Sequence, residues 1–141
     1  MAKATTAILL AAGEGKRMVS KKQKVMHNLC GRPMLGWVMR SVQQHITERP
    51  IVVLGFDGES VKDYFGKDCT YAYQQNVPGN RVDALRAGMS AVNADTGYVL
   101  VMAGNMPLIT DRTVAALVEA ARGFSASRLI CFSDDEDTLI S

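Results

Sequence analysis

The 141-residue sequence has little cysteine, no long apolar run and no marked excess of charge of either sign. Its three cysteines, Cys30, Cys69 and Cys131, are odd in number, far apart and without CxxC spacing. That pattern argues against a disulfide framework and against a zinc site, and it fits a reducing, cytoplasmic compartment. The apolar run near the N-terminus spans only Ala7 to Ala12. It is too short for a signal or membrane segment, so no membrane association is expected. Sixteen basic residues against 14 acidic ones leave a net charge of +2, with the signs mixed. With neither a basic tail nor aromatic–basic interleaving, a nucleic-acid partner is not expected. The acidic run Asp134–Asp137 reads as a solvated tail. Internal repeats and low-complexity linkers are also missing.

What is present is apolar and periodic. Hydrophobic residues make up 48% of the chain, enough for the core of one domain. Near-continuously apolar or β-branched runs at Thr6–Ala11, Ile51–Gly55, Thr70–Gln74, Tyr98–Ala103 and Arg128–Phe132 read as strands covered on both faces. Helical stripes lie between them. Met34, Leu35, Val38, Met39, Val42 and Ile46 follow Pro33, a good first-turn residue. Val61, Tyr64 and Phe65 suggest a short helix ended by Gly66. Val82, Leu85, Met89 and Val92 form a third stripe, expected in the core. Val114, Leu117, Val118 and Ala121 form a fourth, with Thr110 as N-cap and Gly123 as stop.

Repeated strand–helix–strand units imply an α/β domain with a mostly parallel central sheet between two helical layers. In such sheets ligands bind beyond the carboxyl ends of the strands. The segments after the first and fourth strands are therefore the ones to read for chemistry.

The first is "LLAAGEGKRMVSKKQKV". A dinucleotide fingerprint fails because Met18 stands where its third glycine belongs, and a P-loop fails at Leu10 and Arg17. Gly13 and Gly15 still permit a tight turn that exposes N–H groups to an anion. Arg17 can clamp phosphate oxygens and Lys24 can add a point charge, with Lys16, Lys21 and Lys22 raising the local potential. Residue types alone leave a phosphate cradle and a solvated basic loop equally open.

The arrangement "LAAGEGKRMVSKKQKVMHNLCGRPML" is more specific. It resembles the sugar-1-phosphate nucleotidyltransferase family, closest to the N-terminal uridylyltransferase domain of the bifunctional N-acetylglucosamine-1-phosphate uridyltransferases, with later landmarks recurring in order along nearly the whole chain. The resemblance implies the three-layer nucleotide-diphospho-sugar transferase fold. It implies attack of a sugar 1-phosphate oxygen on the α-phosphorus of UTP, with pyrophosphate leaving and Mg²⁺ assisting. It places Leu10, Ala11, Ala12 and Gly13 along the nucleotide, and Arg17 and Lys24 on the triphosphate as catalytic groups. His27 falls on the family's signature histidine and reads as structural, and His45 reads as a surface residue.

Two landmarks depart from the family. Its third strand leads to a glutamine and then Gly-Thr-Gly-His-Ala, which reads the base. Here Gln74 and Gly79 are kept, Asn80 replaces the threonine, and Arg81, Val82 and Asp83 follow. Its fourth strand ends in Gly-Asp before Pro-Leu, and that aspartate binds the metal. The segment "VLVMAGNMPLIT" keeps Ala103, Gly104, Pro107 and Leu108 but has Asn105 in place of the acid. An amide oxygen can ligate a hard cation but brings no charge, so Mg²⁺ binding is expected to be weak or lost.

The family's domain also runs further than this sequence, so the chain is expected to be a single domain, 1–141, lacking the C-terminal, sugar-binding part. A half-site of that kind exposes apolar surface, which makes a homodimer a reasonable expectation. Three readings stay open: an active uridylyltransferase, a degenerate nucleotide-binding or interaction domain of the same fold, and another nucleotidyltransferase such as a molybdenum-cofactor type. For turnover by this chain the substitutions favour the second.

Overall fold

The computed structural model describes residues 4–12, 24–55, 58–75, 81–104, 109–122 and 130–131. In chain order the elements are β1 (Ala4–Ala11), a 3-10 turn (Lys24–Met26), β2 (Asn28–Leu29), β3 (Arg32–Pro33), α1 (Met34–Gln43), β4 (Ile51–Leu54), α2 (Gly58–Phe65), a second 3-10 turn (Gly66–Asp68), β5 (Thr70–Tyr73), α3 (Arg81–Ser90), β6 (Thr96–Ala103), α4 (Asp111–Arg122) and β7 (Ile130–Cys131).

Five strands form one sheet in the order β5-β4-β1-β6-β7, and every pair in it is parallel. Alternate residues of each strand feed two cores. On one face Ala7, Leu9, Ala11, Val52, Leu54, Leu100 and Met102 meet Leu35, Val38 and Val42 of α1, Val61 and Phe65 of α2, and Val114 and Val118 of α4. On the other, Ile8, Ile51, Val53, Ala72 and Val101 meet Ala84, Leu85 and Ala87 of α3. This is the expected three-layer α/β domain with a parallel sheet. No helix among the described residues is long and apolar enough to cross a membrane.

The third helical stripe needs correcting. Val82 and Met89 are 60% and 43% exposed, whereas Ala84 and Gly88 are buried. A Cβ on Gly88 would lie 2.6 Å from Ile8 Cγ2 and 3.0 Å from Val53 Cγ2. The helix lies close to the sheet, with Ala84 and Gly88 in the interface and Leu85 packed beside them, while Val82 and Met89 are turned out. Tyr64 is likewise exposed on α2. The expected N-cap on α4 is present, because the Thr113 amide donates to Thr110 Oγ1 at 3.2 Å. Ile46 lies beyond the end of α1 yet still packs on the core. Gly123 and the acidic tail lie outside the described residues.

Candidate functional site

The chain moves outward from β1 to β4 to β5, then crosses back to β6. The order reverses between β1 and β6, and their carboxyl ends form the crevice where such sheets take ligands. Leu10 is in register with Ala103. One step on, the Gly104 amide donates to the Leu10 carbonyl at 2.9 Å. The end of the strand that leads into the glycine-rich loop and the end of the strand that leads into Asn105 are thus joined by a main-chain bond.

Gly104 is needed for this closeness. A Cβ there would meet the Leu10 carbonyl oxygen at 3.0 Å, and Leu35 Cδ1 and Val25 Cγ1 at 3.1 Å. Val25 comes from the 3-10 turn opened by Lys24, so the same packing sets the Lys24 backbone above the end of β6. The next residues along the chain brace this turn. The Met34 amide donates to the His27 carbonyl at 3.0 Å. The β2–β3 hairpin, which the sequence did not suggest, turns on Cys30 and Gly31, both with positive φ (52° and 81°). Trp37 on α1 holds it, donating through Nε1–H to the Leu29 carbonyl at 2.7 Å, with the Arg32 guanidinium 4.8 Å from the ring centroid. His27 Nε2 is buried and has no hydrogen-bond partner among the described residues. His45 is partly buried rather than fully superficial, and it pairs with Asp111 at the start of α4.

Beside β1, a Cβ on Gly55 would lie 2.9 Å from the Ala12 carbonyl oxygen. Sequence reading passed over Gly55, although a glycine directly after a buried strand is a sign of close backbone approach. Ala11, Ala12, Gly55, Ala103 and Gly104 together give neighbouring strand ends a floor of small residues. Gln74 stands at the same edge of the sheet, directly after β5. It is buried, and its amide donates to the Leu54 carbonyl at 2.8 Å. With β4 between them, Gln74 and the end of β1 are separated by about 10 Å, two strand spacings.

Leu10, Ala11, Ala12, Gln74, Ala103, Gly104 and the backbone of Lys24 are therefore gathered at one edge. Gly13, Arg17, Gly79, Asn80 and Asn105 lie outside the described residues. Among the described residues no three of His, Cys, Asp and Glu come together in a way that could hold a metal ion. A groove of about 260 Å³ lies elsewhere, between β5 and α3.

Comparison with known proteins agrees with this geometry. Residues 7–139 match the family described as the MobA-like NTP transferase domain. The chain is 39% identical over 131 residues to the bifunctional protein GlmU of Geobacillus thermodenitrificans, an alignment that covers 92% of this chain and 28% of that protein. It spans little more than a quarter of the length of the curated relatives it matches. In fold it is similar to a nucleotidyl transferase from Methanothermobacter, with a TM-score of 0.70, 23% identity, and coverage of 82% of this chain and 57% of that one. It is equally similar to 4-diphosphocytidyl-2C-methyl-D-erythritol synthase from Anaerococcus prevotii, with a TM-score of 0.70, 23% identity, and coverage of 86% and 52%. A parallel sheet whose strand order reverses between β1 and β6, and a family match along nearly all of its length, place this chain in the MobA-like NTP transferase family.

Proposed function

We propose that this chain is the nucleotide-binding half of a sugar-1-phosphate nucleotidyltransferase that takes UTP at the ends of β1 and β6, and that its own transfer activity is weak or lost. The observation that carries this reading is the Leu10–Gly104 bond, which joins the carboxyl ends of β1 and β6 at the reversal of strand order. The likeness of the first loop to uridylyltransferases, and of the whole chain to proteins named GlmU, supports UTP and N-acetylglucosamine 1-phosphate as the substrate pair.

In this reading Leu10, Ala11, Ala12, Ala103 and Gly104 form the floor under the nucleotide. Gln74, Gly79 and Asn80 face the base. Gly13 lets the backbone turn around the phosphates, while Arg17 and Lys24 neutralise them and draw charge toward the departing pyrophosphate. The donor set does not fit a firmly held Mg²⁺, because position 105 offers a neutral amide oxygen where the family has a carboxylate. Any attack of a sugar phosphate oxygen on the α-phosphorus then rests on positioning and on the two cations.

Calorimetric titration of UTP with and without Mg²⁺, run beside a pyrophosphate-release assay with N-acetylglucosamine 1-phosphate, tests this. UTP is expected to bind. Arg17→Ala and Lys24→Ala are each expected to weaken it by roughly tenfold or more, the loss of a charge-assisted hydrogen bond. Pyrophosphate release is expected to be slow or absent. Turnover at ordinary enzymatic rates would make the chain an active transferase, and a preference for another nucleoside triphosphate would move it to a different branch of the family. No heat with any nucleoside triphosphate would reject the site.

A further inference from the structure

β5 is the outer strand of the sheet and pairs only with β4 among the described residues. The Thr70 amide donates to the Pro50 carbonyl and the Gln74 amide to the Leu54 carbonyl. In a parallel ladder alternate residues bond to the same side. Thr70, Ala72 and Gln74 therefore face β4, and the amides and carbonyls of Tyr71 and Tyr73 face outward. Natural sheets blunt such an edge with charge, proline or a bulge. The strand Thr-Tyr-Ala-Tyr has no charge and no proline, and its register with β4 is unbroken. Tyr73 is half exposed, and the exposed Val82 and Met89 lie on the adjoining helix α3.

We propose that this edge is the contact between two copies of the chain, paired antiparallel, β5 to β5, about a two-fold axis through Ala72. The parity of the strand suits that arrangement. With Ala72 opposite Ala72 of the second copy, Tyr71 falls opposite Tyr73 and Tyr73 opposite Tyr71. Both residues point their main-chain groups outward, so each pair exchanges both of its bonds. A two-fold axis normal to the sheet keeps both copies of α3 on the same face of the joined sheet. Asp83 and Arg86, one turn apart on α3, line the groove beside the edge with Tyr73, Gln75, Ala87 and Ser90. Arg86 makes no ion pair with a described residue. In the symmetric pair Arg86 of each copy approaches Asp83 of the other, so one patch carrying both signs is complementary to itself. The outer edge of β5 faces away from β4, and association is read by sedimentation whether or not UTP binds, so this proposal and the substrate reading can fail separately.

Sedimentation equilibrium of the full chain, up to about 100 μM, reads the dissociation constant directly. The chain is expected to be a dimer. Tyr73→Pro removes an outward amide and leaves the ladder to β4 intact, a substitution that edge strands accept. It is expected to raise the dissociation constant on the order of a hundredfold while the far-ultraviolet circular dichroism is unchanged. Arg86→Asp is expected to weaken association, and Arg86→Asp combined with Asp83→Arg to restore it. A monomer at the highest concentration overturns the proposal. So does a dimer that neither Tyr73→Pro nor Arg86→Asp weakens, since its contact then lies on another surface. If Tyr73→Pro alters the fold, the charge exchange decides the matter alone.

Discussion

The carbonyl of Leu10 accepts the amide of Gly104 at 2.9 Å, and no side chain at position 104 separates the two strands. The bond lies at the carboxyl ends of β1 and β6, where the order of strands reverses. It fixes the spacing of the two strand ends themselves.

Gly104→Ala is expected to destabilise the domain by about 1–3 kcal/mol, the usual penalty for overpacking. The added Cβ would press on Val25 and Leu35 at 3.1 Å as well as on the Leu10 carbonyl. Urea unfolding would record this as a lower midpoint at constant slope. An unchanged midpoint would mean that the two strand ends are not so close.

Asn105→Asp should tighten Mg²⁺-dependent UTP binding by about tenfold or more, equivalent to ~1.4 kcal/mol. The reason is the restored negative charge at a hard-cation position. Calorimetry with Mg²⁺ and with EDTA separates this from metal-free binding. Equal gains in both conditions would place the metal elsewhere.

Gly88→Ala sets two opposed effects against each other. In a helix interior alanine is favoured over glycine by roughly 1 kcal/mol. Against this, the new Cβ would fall 2.6 Å from Ile8 Cγ2 in a sealed core. Overpacking of this kind costs about 1–3 kcal/mol, so net destabilisation is expected. Thermal unfolding measures the balance, and a rise in Tm would mean that α3 can lift from the sheet without loss.

Burial pushes the Cys69 thiol above its ordinary value of 9.0, with Asp68 adding to the rise and a hydrogen bond to Tyr71 opposing it. The folded chain therefore keeps this proton to a higher pH than the unfolded chain does. Above the ordinary thiol value the unfolded state binds fewer protons, so stability falls as pH rises. Tyr71 is raised as well, mainly by burial, and acts in the same direction. Denaturation midpoints on either side of pH 9.0 should decline on the alkaline side. Cys69→Ala should make that decline shallower.

The parallel sheet and the position of the crevice could be read from the sequence, because buried strands are written as unbroken apolar runs and the rule for strand ends is general. Which residues at those strand ends would meet a nucleotide (Leu10–Ala12, Ala103 and Gly104) comes from the resemblance of the segments to the family, not from the apolar pattern. The outward turn of Val82 and Met89 on α3 is not legible in the sequence, because an apolar stripe says nothing of how closely a helix approaches its sheet. Gly88 decides that distance, and a glycine carries no hydrophobic signal. The β2–β3 hairpin has only two residues in each strand, too few for any periodicity. Its anchoring by Trp37 joins residues eight apart across a turn, and helical or strand periodicity does not encode such a bond.

The segment that holds position 105 is fixed at both of its ends. Gly104 is tied to Leu10 on one side, and on the other the Ile109 carbonyl accepts the Ser41 hydroxyl of α1 at 3.0 Å, next to the His45–Asp111 pair. Neither anchor uses the side chain at 105. Both are made by backbone groups of Gly104 and Ile109, so a change of charge at 105 is expected to act on binding and to leave the two anchors in place.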